Sequence, residues 1–195
     1  MVSSSPFLAQ CLSAIWAISA READENGVDV SRAIGLARAD LVTLASIWRP
    51  APDALARALR ANENVQRDDE EAMVLALLDA HRGDQTLQSG WLARMVARRA
   101  MQPNHLWQDL GLTDRSALSR LLGETFPKLA ARNVNNMKWK KFFYRSLCEM
   151  EGFHLCTAPS CHECSDFDAC FGPEDGESLL ARIRLENMSA SLSHP

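Results

Sequence analysis

A chain of 195 residues is long enough for one domain with a real core, and one compact body with a metal-binding appendage is expected. Hydrophobic residues at 47% and charged residues at 24% match soluble globular proteins and exclude a disordered or fibrous chain. The formal net charge of −4 argues against attraction of the whole protein to nucleic acid or to an anionic membrane.

No run approaches the roughly 20 consecutive apolar residues of a transmembrane span. The nearest, Phe7 to Ala20, is interrupted by Gln10, Ser13 and Ser19, and Arg21 is the first basic residue, which argues against a signal peptide. Phe7, Leu8, Cys11, Leu12, Ile15, Trp16 and Ile18 recur at helical spacing and predict a core-facing helix. A cytoplasmic location is therefore expected. In a reducing cytosol clustered thiols bind metal or do chemistry more often than they form structural disulfides.

The following segments keep the helical period, and no window shows sustained two-residue alternation, so the expected fold class is all-α. A helix is predicted within Ser31 to Trp48, capped by Ser31, ended by Pro50 and divided at Gly35. Pro52 opens another, to about Ala61. Asp68, Asp69, Glu70 and Glu71 precede the apolar run Met73, Val74, Leu77 and Leu78, placing negative charge where a helix N-terminus favours it. Trp91, Leu92, Met95 and Val96 form the inner face of a further helix that Pro103 closes, with Arg94, Arg98 and Arg99 on its wetter side. Two shorter helices joined around Gly111 occupy Asn104 to Phe126, and Pro127 stops the second. A last body helix is predicted from about Asn133 to Met150, with Trp139, Phe142, Phe143, Leu147 and Met150 spaced for burial and Gly152 as its stop.

From His154 to Gly176 neither period survives, and Pro159, Gly172 and Pro173 lie among four cysteines. The expected organisation is a single helical body over 1–153, an irregular cysteine-rich metal-binding loop over 154–176, and a short terminal helix with a frayed tail over 177–195.

The cysteines are spaced Cys156-x4-Cys161-x2-Cys164-x5-Cys170. Two thiolates separated by two residues converge on one centre, and flanking cysteines complete a four-sulfur cage. The first three follow plant-type ferredoxin spacing. An iron–sulfur cluster and a structural tetrahedral zinc both satisfy this pattern, with disulfides a third possibility. His154 and His162 are either further ligands or exposed loop histidines. Cys148 and Cys11 read as small buried hydrophobes.

Charge is polarised around the cluster. Phe126 to Cys148 carries Lys128, Arg132, Lys138, Lys140, Lys141 and Arg145 with no acid, whereas Glu149 to Glu177 carries acids and no base. Lys138, Lys141 and Arg145 are expected on one helix face, either stabilising a negative cluster or forming a solvated face balanced by the acidic loop.

The run His105-Leu-Trp-Gln-Asp-Leu-Gly-Leu112, then Leu118-Ser-Arg-Leu121, Phe126-Pro127, Asn133 and Met137-Lys-Trp-Lys-Lys-Phe-Phe-Tyr-Arg145, leads to Cys148-Glu149, Glu151-Gly152, the four cysteines and Cys170-Phe-Gly172. This stretch, Trp91 to Pro173, resembles the NifQ family of nitrogen-fixation proteins associated with molybdenum supply to the nitrogenase iron–molybdenum cofactor. The resemblance implies a non-enzymatic carrier. It implies Cys156, Cys161, Cys164 and Cys170 as ligands of an iron–sulfur cluster (Mo–Fe–S or 4Fe–4S) that takes up molybdenum, and the assembly scaffold NifEN and the nitrogenase iron protein as partners.

A redox-sensing DNA-binding regulator is the alternative, because Leu106 to Leu122 reads as a helix-turn-helix offering Arg115, Ser116, Ser119 and Arg120. Net negative charge and the acids Asp109, Asp114 and Glu124 count against nucleic acid. A zinc-stapled interaction protein is the other alternative. No G-x-S-x-G, P-loop or H-E-x-x-H motif points to an enzyme.

Overall fold

The structure is a computed structural model that describes residues 6–150, apart from the side chains of Cys148 and Met150. The described residues form one all-helical domain of ten helices without strands: α1 (Pro6–Asn26), α2 (Val30–Ile34), α3 (Arg38–Trp48), α4 (Ala54–Arg60), α5 (Asp69–Ala80), α6 (Leu87–Ala100), α7 (Leu106–Asp109), α8 (Arg115–Thr125), α9 (Pro127–Ala130) and α10 (Trp139–Met150).

Helix α6 is the axis of the fold. Only Leu87, Arg94 and Arg98 of its residues escape burial, as expected for a helix surrounded by others. It packs against α5, α2 and α7, while α3 pairs with α4, α1 with α2, and α10 lies along α5. Cys11, Leu12, Ile15 and Trp16 of α1 face this core, as their spacing predicted.

Local chemistry explains where the observed elements depart from the predicted ones. The helix expected to start at Ser31 starts one residue earlier. Asp29 is its cap and accepts from the Ser31 amide at 2.8 Å, and Ser31 is buried inside it. Gly35 ends α2 at φ 83°, where a Cβ would stand 2.7 Å from Arg98 Cβ and 2.9 Å from the Arg94 carbonyl oxygen; only glycine lets α2 approach α6 so closely. Helix α3 stops with Arg49 in the left-handed region at φ 46°. Pro127 does end α8, but it also opens the single turn α9 from its first position, where proline's missing N–H costs nothing. The last helix begins at Trp139 rather than near Asn133, because the Asn133 side chain accepts from the Met137 amide at 2.8 Å and donates to its carbonyl at 2.9 Å. That local ring replaces a helical turn.

The largest correction concerns Arg99, expected on the wetter side of α6 but only 2% exposed. Its guanidinium donates to the carbonyl of Asp109 at 2.6 Å, ending α7, and to that of Ala33 at 3.3 Å, in the last turn of α2. It also pairs with Glu22 of α1. One side chain thus satisfies helix C-terminal carbonyls that have no intrahelical donor and joins four helices.

Cys11, 2% exposed, packs in the core as expected. Burial, with Glu124 adding and Arg120 opposing, pushes its thiol up to about 11, so at about pH 8 only on the order of one in a thousand is thiolate. Alkylation by iodoacetamide at about that pH should spare Cys11 in the native protein and modify it rapidly in concentrated guanidinium, by peptide mass mapping; fast native modification would contradict the packing. Arg99→Leu should lower unfolding free energy by about 3 kcal/mol or more in urea melts, because Glu22 and two helix ends lose their partner.

Candidate functional site

Helix α10 leads into the cysteine-rich segment, and its own residues explain its placement. Trp139, Phe142 and Phe143 form an aromatic cluster, with the Trp139 and Phe142 rings edge to face at 5.7 Å and Trp139 and Phe143 at 6.2 Å. The Trp139 indole donates to Ser119 Oγ at 3.1 Å, tying α10 to α8. On the α5 side, burial, and then the hydrogen bond and charge of Glu70, push the Tyr144 phenol well above its ordinary pKa. Tyr144 is therefore an un-ionised structural contact.

At the N-terminal end of α10 three elements meet. Lys140 Nζ reaches the buried Asp109 carboxylate of α7 at 2.5 Å and also donates to the carbonyl of Gln102 beyond α6. Asn104 Nδ2 holds the other Asp109 oxygen at 3.1 Å. Arg115, first residue of α8, donates to the carbonyls of Asn136 at 2.6 Å and Met137 at 3.0 Å, which brings its charge beside Lys138. His105 lies at the same junction. Burial, then the charges of Lys138 and Lys140, with Arg115 adding and Asp109 opposing, hold its pKa below the ordinary histidine value.

This arrangement corrects the expected face of Lys138, Lys141 and Arg145. Lys138 precedes the helix, Lys141 is exposed, and Arg145 pairs with Glu149 at 2.9 Å, which also takes Arg132 at 3.4 Å. Lys140 is the member built into the fold. In the sequence Glu71 reads as a helix N-terminal charge and Asp109 as an acid opposing nucleic acid; both are buried carboxylates. Glu71 lies between Arg67 Nε at 3.2 Å and Arg98 Nη2 at 3.0 Å, yet neither of its oxygens takes a directed hydrogen bond. Burial accordingly pushes its carboxyl up against the pull of both arginines. The signal was present: Glu71 is in helical phase with the core residues Val74 and Leu78.

Beside this ion pair opens a polar cleft of about 790 Å³, lined among others by Arg32, Glu63, Arg67, Asp68 and Arg98.

The predicted ligands Cys156, Cys161, Cys164 and Cys170, with His154 and His162, lie outside the described residues. Among the described residues no group of three or more His, Cys, Asp or Glu is placed to hold a metal ion, and no helix is long and apolar enough to cross a membrane. The face suggested for DNA is engaged within the protein. Arg115 holds the loop before α10, Ser119 takes the Trp139 indole, and Arg120 lies 3.9 Å over the Phe7 ring and pairs with Glu124 at 2.8 Å. Helix α7 is a single turn.

The sequence model of the family described as NifQ matches residues 11–172. The Protein NifQ homolog of Sinorhizobium fredii is 44% identical over 157 residues, 80% of this chain and 68% of that protein. The Protein NifQ of Azotobacter vinelandii is 47% identical over 110 residues, 56% of each chain, and that of Rhodobacter capsulatus is 38% identical over 166 residues, 85% of this chain and 91% of that one. No solved structure matches the chain. The family match extends eighty residues further toward the N-terminus than the motif-bearing stretch that begins at Trp91, taking in α1 to α5 as well, and with it the chain belongs to the NifQ family.

Proposed function

We propose that this protein is a metal carrier. Cys156, Cys161, Cys164 and Cys170 hold an iron–sulfur cluster that takes up molybdenum, and the protein passes that molybdenum to the assembly of the nitrogenase iron–molybdenum cofactor. The observation that carries the reading is the span of the family match, residues 11–172, which runs through all four cysteines. The NifEN scaffold and the nitrogenase iron protein are the proposed partners, and the cytoplasm the proposed location.

The donor set fits such a cluster. Four thiols within the stretch 156–170 supply soft ligands that favour iron–sulfur centres, though not to the exclusion of zinc. A bound cluster of this kind would supply sulfide-bridged sites at which molybdenum can be held. The chain's own residues supply the thiolates, and deprotonating them is the chemical requirement for loading. Delivery is then ligand exchange, without turnover of an organic substrate, and it requires at least one molybdenum ligand that leaves readily. The helical body keeps its part separate: its core cysteine, Cys11, is held as a neutral thiol, a poor ligand.

Anaerobic purification with elemental analysis for Mo, Fe and Zn, alongside electron paramagnetic resonance, should find iron with sulfide and, from molybdate-grown cells, molybdenum. Stoichiometric zinc without iron would overturn the reading in favour of a zinc staple. Cys161→Ala should lose the metal while circular dichroism stays helical, because the helical body packs an extensive apolar core among residues 11–147. Global unfolding of that variant would instead make the cluster part of the folding unit.

A further inference from the structure

The connection from α4 to α5 forms one wall of the polar cleft beside Glu71, and α2 and α6 supply the rest. Of the lining residues only Val65 is apolar, so the cleft does not suit the hydrophobic body of an ordinary organic ligand. Three guanidiniums reach it from three separate elements: Arg32 on α2, Arg67 in the connection and Arg98 on α6. Arg67 is anchored on the Gly35 carbonyl at 2.8 Å and Arg98 on that of Gln66 at 2.7 Å, which fixes both side chains and leaves most of their N–H donors uncommitted. Glu71 stands between these two and offsets one of their charges, through contacts of 3.2 and 3.0 Å that are not directed hydrogen bonds. Arg32 is exposed and pairs with no carboxylate among the described residues. The other acids nearby are engaged. Glu63 meets Arg38 at 3.3 Å, Asp68 caps α5 by accepting from the Glu71 amide at 2.8 Å, and Asp29 accepts from the amides of Ser31 and Asn62. Burial, with Arg67 and Arg32 adding to it and Glu71 and Asp68 opposing, holds the Arg98 guanidinium below its ordinary pKa.

We propose that this cleft binds a small oxyanion of the phosphate or sulfate class, held by Arg32, Arg67 and Arg98. A guanidinium presents paired N–H donors in a planar fork that matches two oxygens of such an anion. An anion among the three arginines also relieves the repulsion they exert on one another, which a single buried carboxylate only partly offsets. Arginines already held by backbone carbonyls lose little side-chain freedom on binding. The side-chain amides of Asn62, Asn64 and Gln66 line the same cleft and can donate to the remaining oxygens. At about 790 Å³ the cleft is larger than one such ion, which therefore keeps part of its water shell. Binding is accordingly modest in strength and sensitive to salt. The proposal does not rest on the metal-carrier reading.

The test is isothermal titration of the full-length, anaerobically purified protein with inorganic phosphate and, separately, with sulfate, in Tris buffer at fixed ionic strength. Saturable one-to-one binding with a Kd of about 1 mM or tighter is expected for at least one of the two anions. Arg32→Glu puts a carboxylate at the cleft without removing an ion pair among the described residues, and it should weaken that binding by about tenfold or more. Lys128→Glu makes the same change of charge on α9, outside the cleft, and should bind as wild type does; circular dichroism of both variants should stay helical. As a second measurement, modification of Arg32 by phenylglyoxal, followed by peptide mass mapping, should slow severalfold in a saturating concentration of the bound anion and not in chloride of equal ionic strength. No saturable binding of either anion, wild-type affinity in Arg32→Glu, an equal loss in the two variants, or modification of Arg32 indifferent to the anion would each overturn the proposal.

Discussion

The buried guanidinium of Arg99 is the interaction on which the helical body depends. A cation out of contact with water is tolerated only when its donors are met, and here they are met by Glu22 on α1 and by the C-terminal carbonyls of α2 and α7. Those carbonyls need the arginine as much as it needs them, since the last turn of a helix leaves its oxygens without intrahelical partners and carries partial negative charge. The central helix α6 therefore anchors its neighbours by charge-assisted hydrogen bonds as well as by apolar burial.

The same device recurs through the fold. Arg38 donates to the carbonyl of Ala61 just past α4, Arg67 to Gly35 past α2, and Lys140 to Gln102 past α6. Helices as short as α2, α7 and α9, of five, four and four residues, cannot persist alone, because nucleating a turn is unfavourable and few hydrogen bonds repay it. For α2 and α7, long basic side chains reaching from neighbouring elements supply what their length cannot. The closeness of these contacts also explains why Gly35 and Gly111 are glycines: at each the left-handed turn presses against a neighbouring backbone, Arg94 or Ala14.

For function, the consequence lies in α10. Its aromatic face is locked on α8 and α5, and its N-terminal end is pinned by Lys140 to α7, so the helix that leads into the cysteines is a rigid base. The proposed carrier role is compatible with such a base, since exchange of a metal ligand at the proposed cysteines would not require the body to unfold.

Much of this was legible in the sequence. The 3.6-residue period located nearly every helix and the apolar positions of α1 and α6, since burial of one face is the main driving force for folding and leaves its pattern in the chain. The four-cysteine spacing, and the motifs from His105 to Gly172, pointed to the family that the comparisons establish. What the period could not assign was the role of charges lying in phase with the core. Arg99 follows Met95 and Val96 by four and three residues, and Glu71 precedes Val74 by three; in sequence each reads as one more surface charge. Whether such a residue faces water or a partner depends on which helix end or opposite charge the fold brings to it from 10 to 77 positions away, and that was decided by tertiary structure alone.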